Sequence, residues 1–500
     1  MLWGTSWTGV LILVQFVVKI VRGLVIPRVL APANYGLWNS LGLVLGYAHY
    51  ADLGMQQQLN KRLPYQYGKE GSAGYWNLAS RGTSWTICVT LAIAIALLVV
   101  SFFYQGDDAW FYQKAFRLLA LAIVVQNAHA LLTVLLGTLE EFRIVAISSN
   151  ITEVFGLVAA VVGVLTIGVL GLVWAFLLAE LVGALYCMPS LWRLGLPSLR
   201  WKLRGITVMI REGLVLLGVA LLEQMMMTVD QLFILRFFPK QEFGIYSLGL
   251  FLVSVLISIA AIFLASQPRI LELWGAGQKE QSRQINEASV ALYVLASALC
   301  VAFFLPLTDF MVHFYLPKYT SGITVFVLMP AIAIARGPVI LLRSHFLVHN
   351  RERRLIAFQA CGLLSTAILD GLIIWQHWDM IWIVAASTAG YSLTGALMFF
   401  DFEREGHTMG RAKYAVLLAS LAGVVAVSVF YQLRASVSSD VLRYIAETLG
   451  AALAYLLLIV TVMAVTWRSW LRSLRFYAGG AKIPFVTAFW RRLAATTRNV

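Results

Sequence analysis

Lys19 and Arg22 are fixed cations inside a run of valine, isoleucine and leucine. Gln15 precedes Lys19 by four residues and Arg22 follows it by three, so a helix would carry all three on one face. Cations set in an apolar helix suit an anionic ligand such as a phosphate or diphosphate. Arg336 and Arg343, two helical turns apart, offer the same chemistry farther along. Carboxylates recur with helical spacing too: Glu223, Met227 and Asp230 form one row, and Gln359, Thr366 and Asp370 another. Asn39, Gly42, Gly46, His49, Asp52 and Gln56 form a third, read as one face of a single helix. Lys19, Arg22, Arg336 and Arg343 are the expected substrate-binding cations. Glu223, Asp230, Asp370 and Asp52 are candidates for binding a coupling proton or sodium ion, and Gln15, Asn39, His49 and Gln56 for lining a polar cleft.

The elements that must position these groups are membrane helices. The chain has 500 residues, 60% hydrophobic and 12% charged, with a mean hydropathy of +0.81. Apolar runs of spanning length recur throughout, so the expected fold is an all-α integral membrane protein. Fourteen spans are read, from 5–27 and 36–56 to 414–432 and 444–466. The segments 57–82, 192–211 and 266–287 are read as connections. With the N-terminus in the cytoplasm, the cytoplasmic segments hold 26 of the 38 Lys and Arg residues, the external loops eight and the spans four. That asymmetry is the positive-inside rule. It accounts for the net charge of +14 without nucleic acid and returns the C-terminus to the cytoplasm. The Trp and Leu residues of WRSWLRSLRFY, 467–477, share one helical side and its arginines another, which suits a helix on the membrane surface.

A charge at the centre of a membrane helix costs about 2.5–3.5 kcal/mol on insertion scales, unless it meets water or a partner. Glu153, Glu180, Glu212 and Glu447 also fall within spans. Glu212, Glu447 and Arg343 lie near span ends, where snorkelling relieves them. The four cysteines, all in apolar spans, have no metal-site or redox spacing. His345 and His349 lack a third ligand, and no glycine loop for a nucleotide phosphate is present. No cofactor is expected beyond the coupling ion.

The chain repeats at an offset of 208: Arg28, Tyr35, Gly36, Leu37 and Trp38 match Arg236, Phe243, Gly244, Ile245 and Tyr246. Six spans intervene, so the repeat is parallel and implies two pseudo-symmetric six-helix lobes plus two C-terminal helices. The expected divisions are 1–191, a linker at 192–211, 212–400, 401–466 and a basic tail at 467–500. The offset carries Gln15 to Glu223, Lys19 to Met227 and Arg22 to Asp230. If both stripes face a central hydrated cleft, Arg22 and Asp230 are expected to interact there, directly or through water, in at least one conformation.

The turn RVLAPANYGLW, 28–38, followed by ADLGMQQQLNKRLP, 51–64, resembles the polysaccharide flippases of the multidrug/oligosaccharidyl-lipid/polysaccharide exporter superfamily. Arg28, Leu30, Pro32, Tyr35, Gly36, Asp52, Leu53 and Gly54 match the family pattern. Ala31 stands where glycine is common, and Ala33-Asn34 replaces an acidic pair. The resemblance implies a two-lobed transporter of the bacterial inner membrane working by alternating access, usually ion-coupled. Its expected substrate is a polyprenyl-diphosphate-linked glycan, moved outward for O-antigen, capsule or exopolysaccharide polymerisation, with membrane lipids and polysaccharide polymerase or export machinery as partners. Two members of the same superfamily remain as alternatives, a peptidoglycan-precursor flippase and a multidrug exporter. A membrane glycan polymerase is a more distant one, disfavoured because no external loop is long enough to hold catalytic groups. The cationic stripe argues against a drug exporter, whose cationic substrates call for an acidic cleft.

Overall fold

Two prolines set the first turn of the chain. Helix α1 (Leu2–Val29) stops two residues after Pro27, which lacks the N–H that continues a helix. Helix α2 (Pro32–Ala48) starts on Pro32, where that missing N–H costs nothing. Between them the Leu30 N–H donates to Ile26 O at 2.9 Å and the Tyr35 N–H to Ala31 O at 3.0 Å. The computed structural model describes residues 2–106, 108–195, 197, 206–264, 277–348 and 351–404, scattered positions between 267 and 274, and residues 421, 424, 450, 451 and 453–462.

The same turn joins α7 (Ile206–Phe237) to α8 (Lys240–Ile257). There the Phe238 N–H donates to Ile234 O at 2.9 Å and the Phe243 N–H to Pro239 O at 3.2 Å. Donors, acceptors and both helix ends all stand 208 positions beyond their counterparts (237 − 29 and 240 − 32). The repeat seen in the sequence is therefore a repeat of structure.

Helix α2 is shorter than the expected span 36–56: it ends at Ala48 with His49 as its cap. The Asp52 carboxylate then accepts from the N–H groups of Gly54 at 3.1 Å and Gln56 at 2.5 Å. Leu53 and Gly54 take left-handed φ values of 54° and 78°, which glycine adopts without strain. Asp-Leu-Gly is thus a turn that closes one helix and opens the next. The expected single face from Asn39 to Gln56 is corrected accordingly: it is split over two helices and a turn.

The expected connection 57–82 is likewise helix. Within α3 (Met55–Phe103), Met55, Leu59 and Leu63 recur every four residues and are buried with Tyr75, Ala79, Leu131 and Leu135. A break at Gly71, φ 67°, separates this stretch from the spanning part. α4 (Ala109–Thr138), α5 (Phe142–Ile167) and α6 (Val169–Leu194) complete the first set. α5 and α6 cross at Gly163 and Gly171, where a Cβ on either would lie 2.5 Å or less from the other's carbonyl oxygen. α1 packs on α5, α5 on α6, and α6 on α4 and α2.

The chain divides into two compact units, Met1–Thr228 and Val229–Val500, the division falling within α7. In the second unit α8 leads through α9 (Ile259–Leu264) to α10 (Lys279–Phe310). A π-helical turn at Met311–Tyr315 and a 3₁₀ turn at Pro317–Gly322 follow. Then come α11 (Ile323–Leu328), α12 (Pro330–Val348), α13 (Glu352–Trp375) and α14 (Ile381–Arg404). Its core is aromatic: Tyr246, Tyr293, Phe243 and Phe326 are fully buried.

The described residues are helical, with no strand among them. Nine of their helices are long and apolar enough to cross a membrane, ten if the pair Pro317–Leu328 and Pro330–Arg343, bent by 46°, is one span. The expected span 414–432 lies outside the described residues apart from 421 and 424. Of 444–466, the structure describes an apolar helix at Leu453–Val462 and residues 450 and 451. The tail 467–500, residues 196 and 198–205 of the linker 192–211, and His349 lie outside the described residues; the ends of that linker, 192–194 and 206–211, are helix.

Candidate functional site

In the first unit, Glu153 on α5 receives both cations of α1. Lys19 Nζ lies 3.6 Å from one carboxylate oxygen and Arg22 NH1 3.4 Å from the other. Both distances exceed a good hydrogen bond. The Lys19 and Arg22 side chains remain 55% and 39% exposed, so they are neither sealed in protein nor neutralised one for one. Gln15, on the same stripe, is half-buried.

A second charged group lies beside them. His129 of α4 meets Glu180 of α6 through Nδ1 at 2.7 Å and Ser148 of α5 through Nε2 at 2.8 Å. These are the distances of a nucleophilic triad. Ser148, however, is fully buried and donates to Gly183 O at 3.0 Å, which leaves no open face for a substrate. The arrangement ties α4, α5 and α6 together. Gly183 permits it, since a Cβ there would lie 2.2 Å from Thr152 Oγ1 and 2.5 Å from the His129 ring.

Between these two groups lies a cavity of about 240 Å³. Arg22, Glu153, Glu180 and Thr152 supply its polar wall; Trp38, Phe176, Leu45 and small residues of α5 and α6 supply the rest. The other cleft-lining candidates of this unit are engaged locally. Asn39 donates to Tyr35 O at 2.8 Å, His49 is exposed with its ring edge-on to Tyr50, and Gln56 reaches Asn127 at 3.5 Å. Asp52 serves as the turn described above. Glu223 is half-buried on α7.

In the second unit Asp230 is buried and accepts from the Tyr246 hydroxyl, from Ser387 Oγ at 2.9 Å and from the Gln231 N–H at 2.7 Å. Within its own unit Arg22 makes its ion pair with Glu153, since α1 packs on α5, and Asp230 accepts from hydroxyls of its own unit.

Asp370 of α13 is fully buried, and neither carboxylate oxygen has a hydrogen-bond partner. It lies within electrostatic reach of Asp230. A buried carboxylate without a hydrogen-bond partner is costly to ionise unless a proton or a cation neutralises it. Gln359 and Thr366 share the buried face of α13 with Asp370. Arg336 is half-buried with its guanidinium 5.8 Å from the Tyr391 ring centre, and Arg343 is half-buried on the same helix.

Sequence reasoning marked Glu153 and Glu180 as acids within spans but missed what they meet. The signal was that neither has a basic residue three or four positions away on its own helix. It also missed Tyr246 and Ser387, whose hydroxyls carry no charge to draw notice.

A repeat of six helices with charges buried in each copy defines a class: a multi-pass membrane protein with the fold of the exporter superfamily named above, abbreviated MOP. The lipid II flippase MurJ, in an inward closed conformation, superposes with a TM-score of 0.71 at 11% identity, covering 93% of this chain and 100% of that one. An inward-facing multidrug resistance MATE family transporter of the MOP superfamily gives 0.66 at 11%, covering 78% and 94%. A mutant form of the Vibrio cholerae MATE transporter VcmN gives 0.59 at 14%, covering 82% and 97%. In sequence, the family described as "Polysaccharide biosynthesis protein" matches residues 25–267. No curated protein matches the chain. The match over residues 25–267 takes in the turn at 28–38 and the Asp-Leu-Gly segment, so just under half of the chain resembles a polysaccharide biosynthesis family and the fold is that of the MOP transporters.

Proposed function

We propose that the protein flips polyprenyl-diphosphate-linked oligosaccharide repeat units from the cytoplasmic to the outer leaflet of the bacterial inner membrane by alternating access. The observation that carries this reading is the imbalance on α1: two half-exposed cations share one carboxylate, so net positive charge remains for an anionic head group. The Asp230–Asp370 pair binds the coupling proton or sodium ion. The protein acts as a transporter and not as an enzyme, with both termini cytoplasmic, and hands its substrate to polysaccharide polymerase and export machinery.

The test is flipping in reconstituted vesicles together with surface polysaccharide in cells. Lys19→Ala and Arg22→Ala are each expected to lower both at least tenfold with the protein still in the membrane. Unchanged flipping in both variants would remove this reading. A second reading, a flippase for a lipid-linked peptidoglycan precursor, is favoured by the full-length likeness to the lipid II flippase MurJ. It shares the diphosphate, and competition between the two lipids in the same vesicles separates them.

A further inference from the structure

The repeat has diverged at one place in particular. In the second unit Asp230, Tyr246 and Ser387 form a closed cluster in which both hydroxyls donate to the carboxylate. Subtracting 208 from each number gives Arg22, Trp38 and Ala179, and all three line the cavity of the first unit. Where one copy fills the space with hydrogen-bonded side chains, the other opens it. Alanine in place of serine removes a donor, tryptophan in place of tyrosine removes the hydroxyl, and Gly156 and Ala175 keep the wall thin.

We propose that this cavity is a subsite for a single pyranose ring of the transported glycan. The claim rests on the function proposed above. Trp38 provides an apolar face for the C–H groups of a sugar ring, the packing an aromatic wall offers an amphipathic ligand. Glu153 lines the cavity, and its ion pairs, Oε1 to Lys19 at 3.6 Å and Oε2 to Arg22 at 3.4 Å, are both longer than a good hydrogen bond, so a small side-chain rotation lets a ligand hydroxyl improve on them. Glu180 and Thr152 offer further acceptors, and Arg22 donates to ring or hydroxyl oxygens. A polyhydroxylated ring both donates and accepts, matching a wall that holds both kinds of group. A volume of about 240 Å³ is smaller than the roughly 300–1,000 Å³ of drug-sized sites, which limits the occupant to one ring. Half-exposed Lys19 and Arg22 mark the side from which the ring enters.

Saturation-transfer NMR on the full protein in nanodiscs, with methyl pyranosides of neutral, acidic and amino sugars, tests the proposal. At least one is expected to bind. Ala175→Leu, which fills the cavity, should abolish that signal, and Trp38→Ala should weaken binding about tenfold while Trp38→Phe retains most of it. Circular dichroism and gel filtration check that each variant is folded. In parallel, binding of a sugar-free polyprenyl diphosphate is measured. It should fall in Lys19→Ala. Absence of transfer from every pyranoside, or equal transfer with folded Ala175→Leu, overturns the subsite. Sugar-free lipid binding unaffected by Lys19→Ala instead overturns the head-group reading, so the two failures are distinct.

Discussion

Asp370 shows how far a single residue can be read in each direction. Its place on the face of Gln359 and Thr366 was legible from spacing, because an amphipathic row is a one-dimensional property. That both of its oxygens would lack hydrogen-bond partners was not, since this depends on which side chains α14 and α8 bring near it. A buried unsatisfied polar group costs about 1–3 kcal/mol, more when charged. Asp370→Val is therefore expected to raise the thermal unfolding midpoint in sodium-free buffer while abolishing ion-coupled flipping. Added sodium should stabilise the wild type alone if sodium is the coupling ion. A lower midpoint for the variant in sodium-free buffer would show that Asp370 has partners that stabilise it.

At the scale of elements, apolar length was legible and helix ends were not. A hydropathy window runs past Ala48 because Tyr50, Ala51, Leu53 and Met55 keep the stretch apolar. What stops α2 is a change of hydrogen bonding, with the Tyr50 and Ala51 N–H groups donating three residues back to Tyr47 O and Ala48 O; left-handed Leu53 and Gly54 and the Asp52 carboxylate then open the next helix. Conversely, Gln56, Gln57, Gln58, Asn60 and Lys61 make the start of α3 look like a loop, although Met55, Leu59 and Leu63 keep a helical period beneath them. Asp52→Ala removes a side-chain cap, a loss of about 0.5–2 kcal/mol. Gly54→Ala forces a Cβ into the left-handed region at about 1–2 kcal/mol. Both variants should lower the unfolding midpoint. Asp52→Asn, which keeps an acceptor oxygen, should lower it less than Asp52→Ala. Equal losses for Asn and Ala would mean that the carboxylate serves some purpose other than capping.

For the whole molecule the repeat was the most legible feature, because a parallel duplication leaves its offset in every helix it copied. Ala109 and Pro317 begin, and Ile167 and Trp375 end, equivalent helical segments 208 apart, far from the turn where the offset was first read. Local pairings differ between the copies: Arg22 meets Glu153, and the equivalent Asp230 meets Tyr246 and Ser387, each within its own unit. Orientation rests on a different quantity, the surplus of Lys and Arg on one set of connections, 26 against eight. Ser72, beside the break in α3, and Gln105, between α3 and α4, are both exposed and bracket the spanning part of α3. After the four native cysteines are replaced by serine or alanine, Ser72→Cys should react with a membrane-impermeant maleimide only once cells are permeabilised. Gln105→Cys should react in intact cells. The reverse pattern would invert the orientation. Reaction of both positions in intact cells would mean that α3 does not cross the bilayer between them.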